Sequence, residues 1–187
     1  MSRTELRLSG FGGQGIILSG VILGKAATLF DKQYATLTQS YGPESRGGYC
    51  SAHLVISPTP VLYPLVSQPA VQVLMSQEAY VKYAPESDHN SVILIDEDLV
   101  KTKNNPHKGR LFAIPATRIA ESLGRRIMAN IVMLGFFAAI TSVVSVEAVR
   151  EAVRTSVPEG TEDLNLNAFD QGYSYGRRLV EGARASV

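Results

Sequence analysis

The chain has one cysteine, Cys50, and no tryptophan among its 187 residues. A lone thiol excludes an internal disulfide, and equally an iron–sulfur or zinc site built from several cysteines of this chain. A reducing, cytoplasmic setting is the expectation. Charge of one sign is also scarce: 18 Lys and Arg face 17 Asp and Glu, a net charge of +1. With both signs scattered, there is no electrostatic footprint for nucleic acid or an anionic membrane. His53, His89 and His107 lie far apart in unlike contexts, so neither a metal cluster nor a triad is suggested. The first residues, Met1 to Glu5, bring no long apolar region and no small-residue cleavage site, and no secretory signal is expected.

A membrane-length apolar run is nearly present and then fails. No charge lies between Arg126 and Glu147, and about twenty such residues are long enough to span a bilayer. Asn130, Gly135, Thr141, Ser142 and Ser145 interrupt the run, and Ser145 ahead of Val146-Glu147-Ala148 reads as the N-cap of a new helix. A buried helix followed by a second helix is expected, not a span.

What is present is enough apolar material, 45% of the residues, for one good core, so a single domain over 1–187 is the expectation. Short apolar segments at Leu6–Leu8, Tyr34–Thr38, Tyr49–Ser57, Val71–Met75, Ser91–Asp96 and Arg110–Ile114 read as strands. Helical patterns fall at Ile16–Phe30, Gln77–Tyr83, Ala116–Leu123, Ile127–Ile140, Ser145–Ser156 and Asn167–Arg184. The first helix presents Ile17, Val21, Leu23, Ala27 and Phe30 as its apolar face. Strands alternating with helices predict a three-layer α/β/α sandwich, Rossmann-like, with a largely parallel sheet.

Two glycine-bracketed segments follow the first two strands and are expected to face one crevice, where open α/β sheets place their sites. The first, Gly10-Phe11-Gly12-Gly13-Gln14-Gly15, has the spacing and context of a dinucleotide fingerprint, in which glycines let a ligand approach the backbone and a helix N-terminus. That fingerprint also needs an acid at the end of the second strand. Thr38, Gln39 and Ser40 stand there instead, and Asp31 precedes the strand. Dinucleotide binding, another ligand, and glycines kept only for packing all remain open. Gly20 to Ala26 fails as a Walker loop in spacing and in the missing hydroxyl residue, and its glycines suggest a close helix contact.

The second segment, Gln39-Ser40-Tyr41-Gly42-Pro43-Glu44-Ser45-Arg46-Gly47-Gly48, has one residue that fixes the backbone, Pro43, and glycines that free it. Gln39, Tyr41, Glu44 and Arg46 would be displayed to a ligand or a partner, unless Glu44 and Arg46 only pair with each other. Cys50 reads as an inert strand thiol. Arg125-Arg126 could bind phosphate or simply face water at a helix end.

These two segments together closely resemble the gamma subunit of 2-oxoacid:ferredoxin oxidoreductases. Met75-Ser76-Gln77-Glu78-Ala79-Tyr80, Ile95-Asp96, and Asn130 before Met133-Leu134-Gly135 extend the likeness over nearly the whole chain. The resemblance implies a multi-subunit enzyme that uses thiamine diphosphate, Mg2+, iron–sulfur clusters and coenzyme A to turn a 2-oxoacid into an acyl-CoA and CO2 while reducing ferredoxin. It implies alpha, beta and delta subunits as partners, with thiamine diphosphate and clusters carried mainly by those subunits and no catalytic residue in this chain. The wording from Gln39 to Gly48 is more like the 2-oxoglutarate enzymes than the pyruvate enzymes, with branched-chain 2-oxoacid and indolepyruvate relatives left open. A nucleotide-binding oxidoreductase acting alone and a non-catalytic assembly module are the other two classes.

Overall fold

Five of the six strands point the same way, and the exception decides where the site lies. The structure, a computed structural model, describes residues 3–42, 48–103 and 106–185. Its strands are β1 (Thr4–Phe11), β2 (Tyr34–Tyr41), β3 (Tyr49–Ser57), β4 (Val71–Leu74), β5 (Val92–Asp96) and β6 (Arg110–Ile114). They form one sheet in the order β2-β3-β1-β4-β5-β6. β1, β4, β5 and β6 pair in parallel, whereas β3 is antiparallel to both β1 and β2. The expected α/β sandwich with a largely parallel sheet is present, with a hairpin inserted on one side.

The hairpin corrects part of the sequence reading. β2 runs on through Gln39, Ser40 and Tyr41, which pair with Ala52, Ser51 and Cys50, so these three residues are strand and not loop. Thr36, Thr38 and Tyr41 have high strand propensity, and only from Gly42 does the chain leave the strand. β3 also separates β2 from β1, so the two are not neighbours as they would be in a simple crossover unit.

The helices are α1 (Ile16–Lys25), α2 (Gln77–Tyr83), α3 (Ala116–Ser122), α4 (Ala129–Ile140), α5 (Val146–Arg154) and α6 (Glu162–Ala185). α1 continues as a π-helical turn over Ala26–Phe30. Its buried side is Ile16, Ser19, Gly20, Ile22 and Leu23, while Val21 is 43% exposed, so the expected apolar face is rotated. Gly20 and Gly24 are the reason: a Cβ on Gly20 would stand 2.8 Å from the Ala52 Cβ, and one on Gly24 3.5 Å from Leu54 Cδ1. The glycine side therefore lies flat on the sheet.

One face of the sheet, carrying Leu6, Leu8, Ala52, Leu54, Ile56, Val73 and Leu94, is covered by α1 and the C-terminal helices. The other, with Leu74, Ile93 and Ile95, is covered by α2 through Ala79, Tyr80 and Tyr83. α4 has ten consecutive buried residues from Ala129 to Ala138, so the uncharged run is core. No described helix is long and apolar enough to cross a membrane. α5 starts at the expected cap, the Ser145 hydroxyl accepting from the Ala148 N–H. α6 begins at Glu162, before the expected Asn167.

Candidate functional site

β1 carries its chain to Phe11, at the carboxyl end of the parallel strands, and turns on Gly12 and Gly13 into α1. Gly13 has φ +91° and Gly15 φ +73°, a region in which side chains other than glycine's are strained. Gln14 holds the turn closed. Its Oε1 accepts from the Phe11 N–H at 2.7 Å, and its Nε2 donates to the Met75 carbonyl at 2.8 Å. One amide thus ties the end of β1 to the end of β4, and a Cβ on Gly10 would meet that Oε1 at 2.4 Å. Gly10, Gly12, Gly13, Gln14 and Gly15 therefore form one fixed turn.

The second segment reaches the same place. The Gly12 N–H donates to the Gly48 carbonyl at 2.8 Å, and the Gly42 N–H to the Tyr49 carbonyl at 2.7 Å. The two glycine segments meet, as the sequence suggested. Pro43, Glu44, Ser45, Arg46 and Gly47 lie outside the described residues.

α1 opens without a side-chain cap, since Gly15 is its N-cap, and no acidic residue stands in its first turn. Such an end leaves N–H groups able to receive an anion or a partner's acceptor. The Asn130 amide donates to the Gly15 carbonyl at 3.4 Å and the Ser19 hydroxyl does so at 3.0 Å. Between this turn, α4 and the start of α6 lies a cleft of about 590 Å³. Its mouth carries Tyr41, Arg125 and Ile127, its floor Cys50 and Asn130, and its far wall Leu164 and Asn165. Tyr41 is 66% and Ile127 68% exposed, an apolar rim around a small polar centre.

Cys50 is buried here, and burial pushes its thiol pKa up, the opposite of nucleophile activation. A second recess of about 290 Å³ lies across the glycine turn, between Gln14, Met75, Leu99, Thr117 and Arg126. Beneath it Asp96 is fully buried and accepts from the Thr117 N–H at 2.9 Å and hydroxyl at 2.6 Å. Burial raises the Asp96 pKa against those hydrogen bonds.

Asp31 is at the opposite end of the sheet, accepting from the Ser145 N–H and hydroxyl at 2.7 and 2.6 Å. His53 sits on β3 against the Ser51 hydroxyl at 3.0 Å, and burial lowers its pKa. Among the described residues no group of three His, Cys, Asp or Glu could hold a metal ion. Sequence reasoning missed Asn165 and the apolar rim. Asn130 carried a signal, an amide within an apolar helix, whereas Arg125 reads from sequence rather as a water-facing helix end than as a phosphate ligand, and only the fold sets it at the cleft.

Residues 5–175 match the Pyruvate ferredoxin/flavodoxin oxidoreductase family. A 2-oxoglutarate synthase subunit KorC from Methanocaldococcus jannaschii is 50% identical over 179 residues, 95% of this chain and 96% of that one. The subunit of the same name from Methanothermobacter thermautotrophicus is 44% identical over 188 residues, covering 97% and 98%. Among solved structures, the gamma subunit of a keto/oxoacid ferredoxin oxidoreductase from Geobacter sulfurreducens superposes with a TM-score of 0.81 at 40% identity, covering 92% of this chain and 98% of that one. The chain accordingly belongs to the pyruvate ferredoxin/flavodoxin oxidoreductase family, as a gamma-type subunit most like those of 2-oxoglutarate:ferredoxin oxidoreductases.

Proposed function

We propose that this chain completes a thiamine-diphosphate-dependent complex that converts 2-oxoglutarate and coenzyme A to succinyl-CoA and CO2, passing the electrons to ferredoxin. Alpha, beta and delta subunits would bring thiamine diphosphate with its Mg2+ and the iron–sulfur clusters, since one cysteine cannot ligate a cluster here. The observation that carries the reading is the joining of the two glycine segments through Gly12 and Gly48 beside the uncapped N-terminus of α1. Such a turn suits a phosphate group of coenzyme A, with Arg125 at the mouth as a charge partner.

A second reading has its own support. The exposed Leu18, Tyr41 and Ile127 at the rim suit a protein partner at least as well as a small anion, so the cleft could serve assembly alone. Reconstitution with the other subunits separates the two. Arg46→Ala and Arg125→Ala should raise the coenzyme A concentration needed for half-maximal viologen reduction while co-purification stays intact. Loss of co-purification at unchanged coenzyme A dependence would favour the assembly reading. Wild-type behaviour of both variants would remove these charges from the function altogether.

A further inference from the structure

β2 is one of the two edge strands of the sheet, and hydrogen-bond register says which of its main-chain groups face outward. Gly42 and Tyr49 are directly opposed, and the Gly42 N–H donates to the Tyr49 carbonyl, so this is a hydrogen-bonded pair of the antiparallel ladder. Such pairs alternate along the strand. Ser40, Thr38, Thr36 and Tyr34 therefore turn their main-chain groups toward β3, and Ala35, Leu37, Gln39 and Tyr41 turn theirs outward. Those outward groups have no partner among the described residues.

Edge strands are commonly protected by charge, proline or a bulge. This one has none: from Gln33 to Gly42 there is no charged residue and no proline, and the pairing with β3 runs unbroken from Tyr34 to Tyr41. Beside it α1 packs on β2 and β3 below and on α4 and α5 along one flank, leaving Leu18 40%, Val21 43% and Leu29 54% exposed. Lys25, in the same stretch, is engaged by the Thr155 carbonyl and the Ser156 hydroxyl.

We propose that β2 pairs antiparallel with β2 of a second copy of this chain across a two-fold axis at Thr38, joining two sheets into one. Self-pairing fits because an isologous contact sets every residue against its symmetry mate's neighbourhood, and this edge contains no charge to oppose itself. One register alone lets all four outward residues exchange hydrogen bonds. In it Ala35 of each copy faces Tyr41 of the other, Leu37 faces Gln39, Thr36 faces Ser40, and Thr38 faces Thr38. Thr–Thr and Thr–Ser are favourable cross-strand neighbours. The same axis brings the exposed apolar side of α1 toward its counterpart.

Thr38 would be a non-hydrogen-bonded pair in the new ladder, with Cα atoms about 4.5 Å apart, inside the disulfide range of about 4.4–6.8 Å. Thr38→Cys in the full-length chain should therefore oxidise to a covalent dimer, whereas Thr36→Cys, whose cross-strand neighbour is Ser40, should not. The wild-type chain should sediment as a dimer at tens of micromolar. Thr38→Lys, which opposes two like charges on the axis, should sediment as a monomer with an unchanged circular dichroism spectrum. The proposal falls if the wild type is monomeric, if Thr36→Cys crosslinks as readily as Thr38→Cys, or if Thr38→Lys remains a dimer. It falls too if hydrogen exchange shows the Leu37 and Gln39 amides protected only when another subunit is added.

Discussion

At the scale of single residues, Asp96 is the most informative group. It closes β5, is wholly buried, and ties that strand to the first turn of α3 through Thr117 and to the Asp98 N–H. Asn in its place offers one acceptor oxygen where two are used, so Asp96→Asn should cost about 1–3 kcal/mol in urea unfolding. Burial raises the Asp96 pKa in the folded protein, so the native state holds this proton more tightly than the unfolded chain. Its contribution to stability is full below the ordinary carboxylate value and falls as pH rises toward the raised one. The stability difference between wild type and Asp96→Asn should therefore shrink with rising pH in that window. A difference that is flat or grows with pH would show the hydrogen bonds outweighing burial. Asp96 was visible in the sequence as the end of an apolar strand, but its partner Thr117 was not, because the pairing depends on how α3 approaches β5.

Among the elements, α4 and α6 make the closest crossing. A Cβ on Gly135 would lie 1.9 Å from the Phe169 carbonyl oxygen, and one on Gly172 1.9 Å from that of Val132. Both obstacles are backbone, which cannot swing aside as a side-chain tip can. Gly135→Ala and Gly172→Ala should each destabilise the chain by about 3 kcal/mol or more, the upper end of overpacking costs. Gly182→Ala, where a Cβ meets nothing, should leave the melting temperature unchanged or raise it slightly, as Ala is the better helix former. Thermal melts of the three variants check this. The buried helix from residue 129 was legible from its apolar run. Its glycine partner on α6 was not, because two glycines 37 positions apart say nothing of each other until the helices cross.

For the whole molecule, the strand order departs from that of the usual dinucleotide site. In that architecture the strand after the first helix lies next to β1 and offers its terminal acid to a ribose. Here β3 intervenes, and Asp31 is engaged by Ser145 at the other end of the sheet. We expect calorimetry with NAD to show no micromolar site on the isolated chain, and a saturable site lost on Gly12→Val would overturn that expectation. The isolated chain should likewise reduce no viologen with 2-oxoglutarate, coenzyme A and thiamine diphosphate, and turnover without other subunits would refute the division of labour proposed above. The glycine turn, most strand and helix positions and the sandwich class were readable from local pattern. The inserted hairpin was not: apolar alternation fixes which face a strand buries, but not the direction of its neighbour.

The roof over the main face of the sheet also has a temporal side. β1, α1 and β3 are complete by Ser57, with α1 already over Ala52 and Leu54, yet the helices that pack against α1 and toward β6, namely α4, α5 and α6, come last, ending with the fully buried Phe169. A chain growing from its N-terminus displays the apolar residues of α4 and the flank of α1 until α6 is made, a state in which aggregation competes with folding. Release at Gly160, before α6 exists, should give an insoluble product. The nascent protein would then depend on holding chaperones in the interval between its first strand and its last helix.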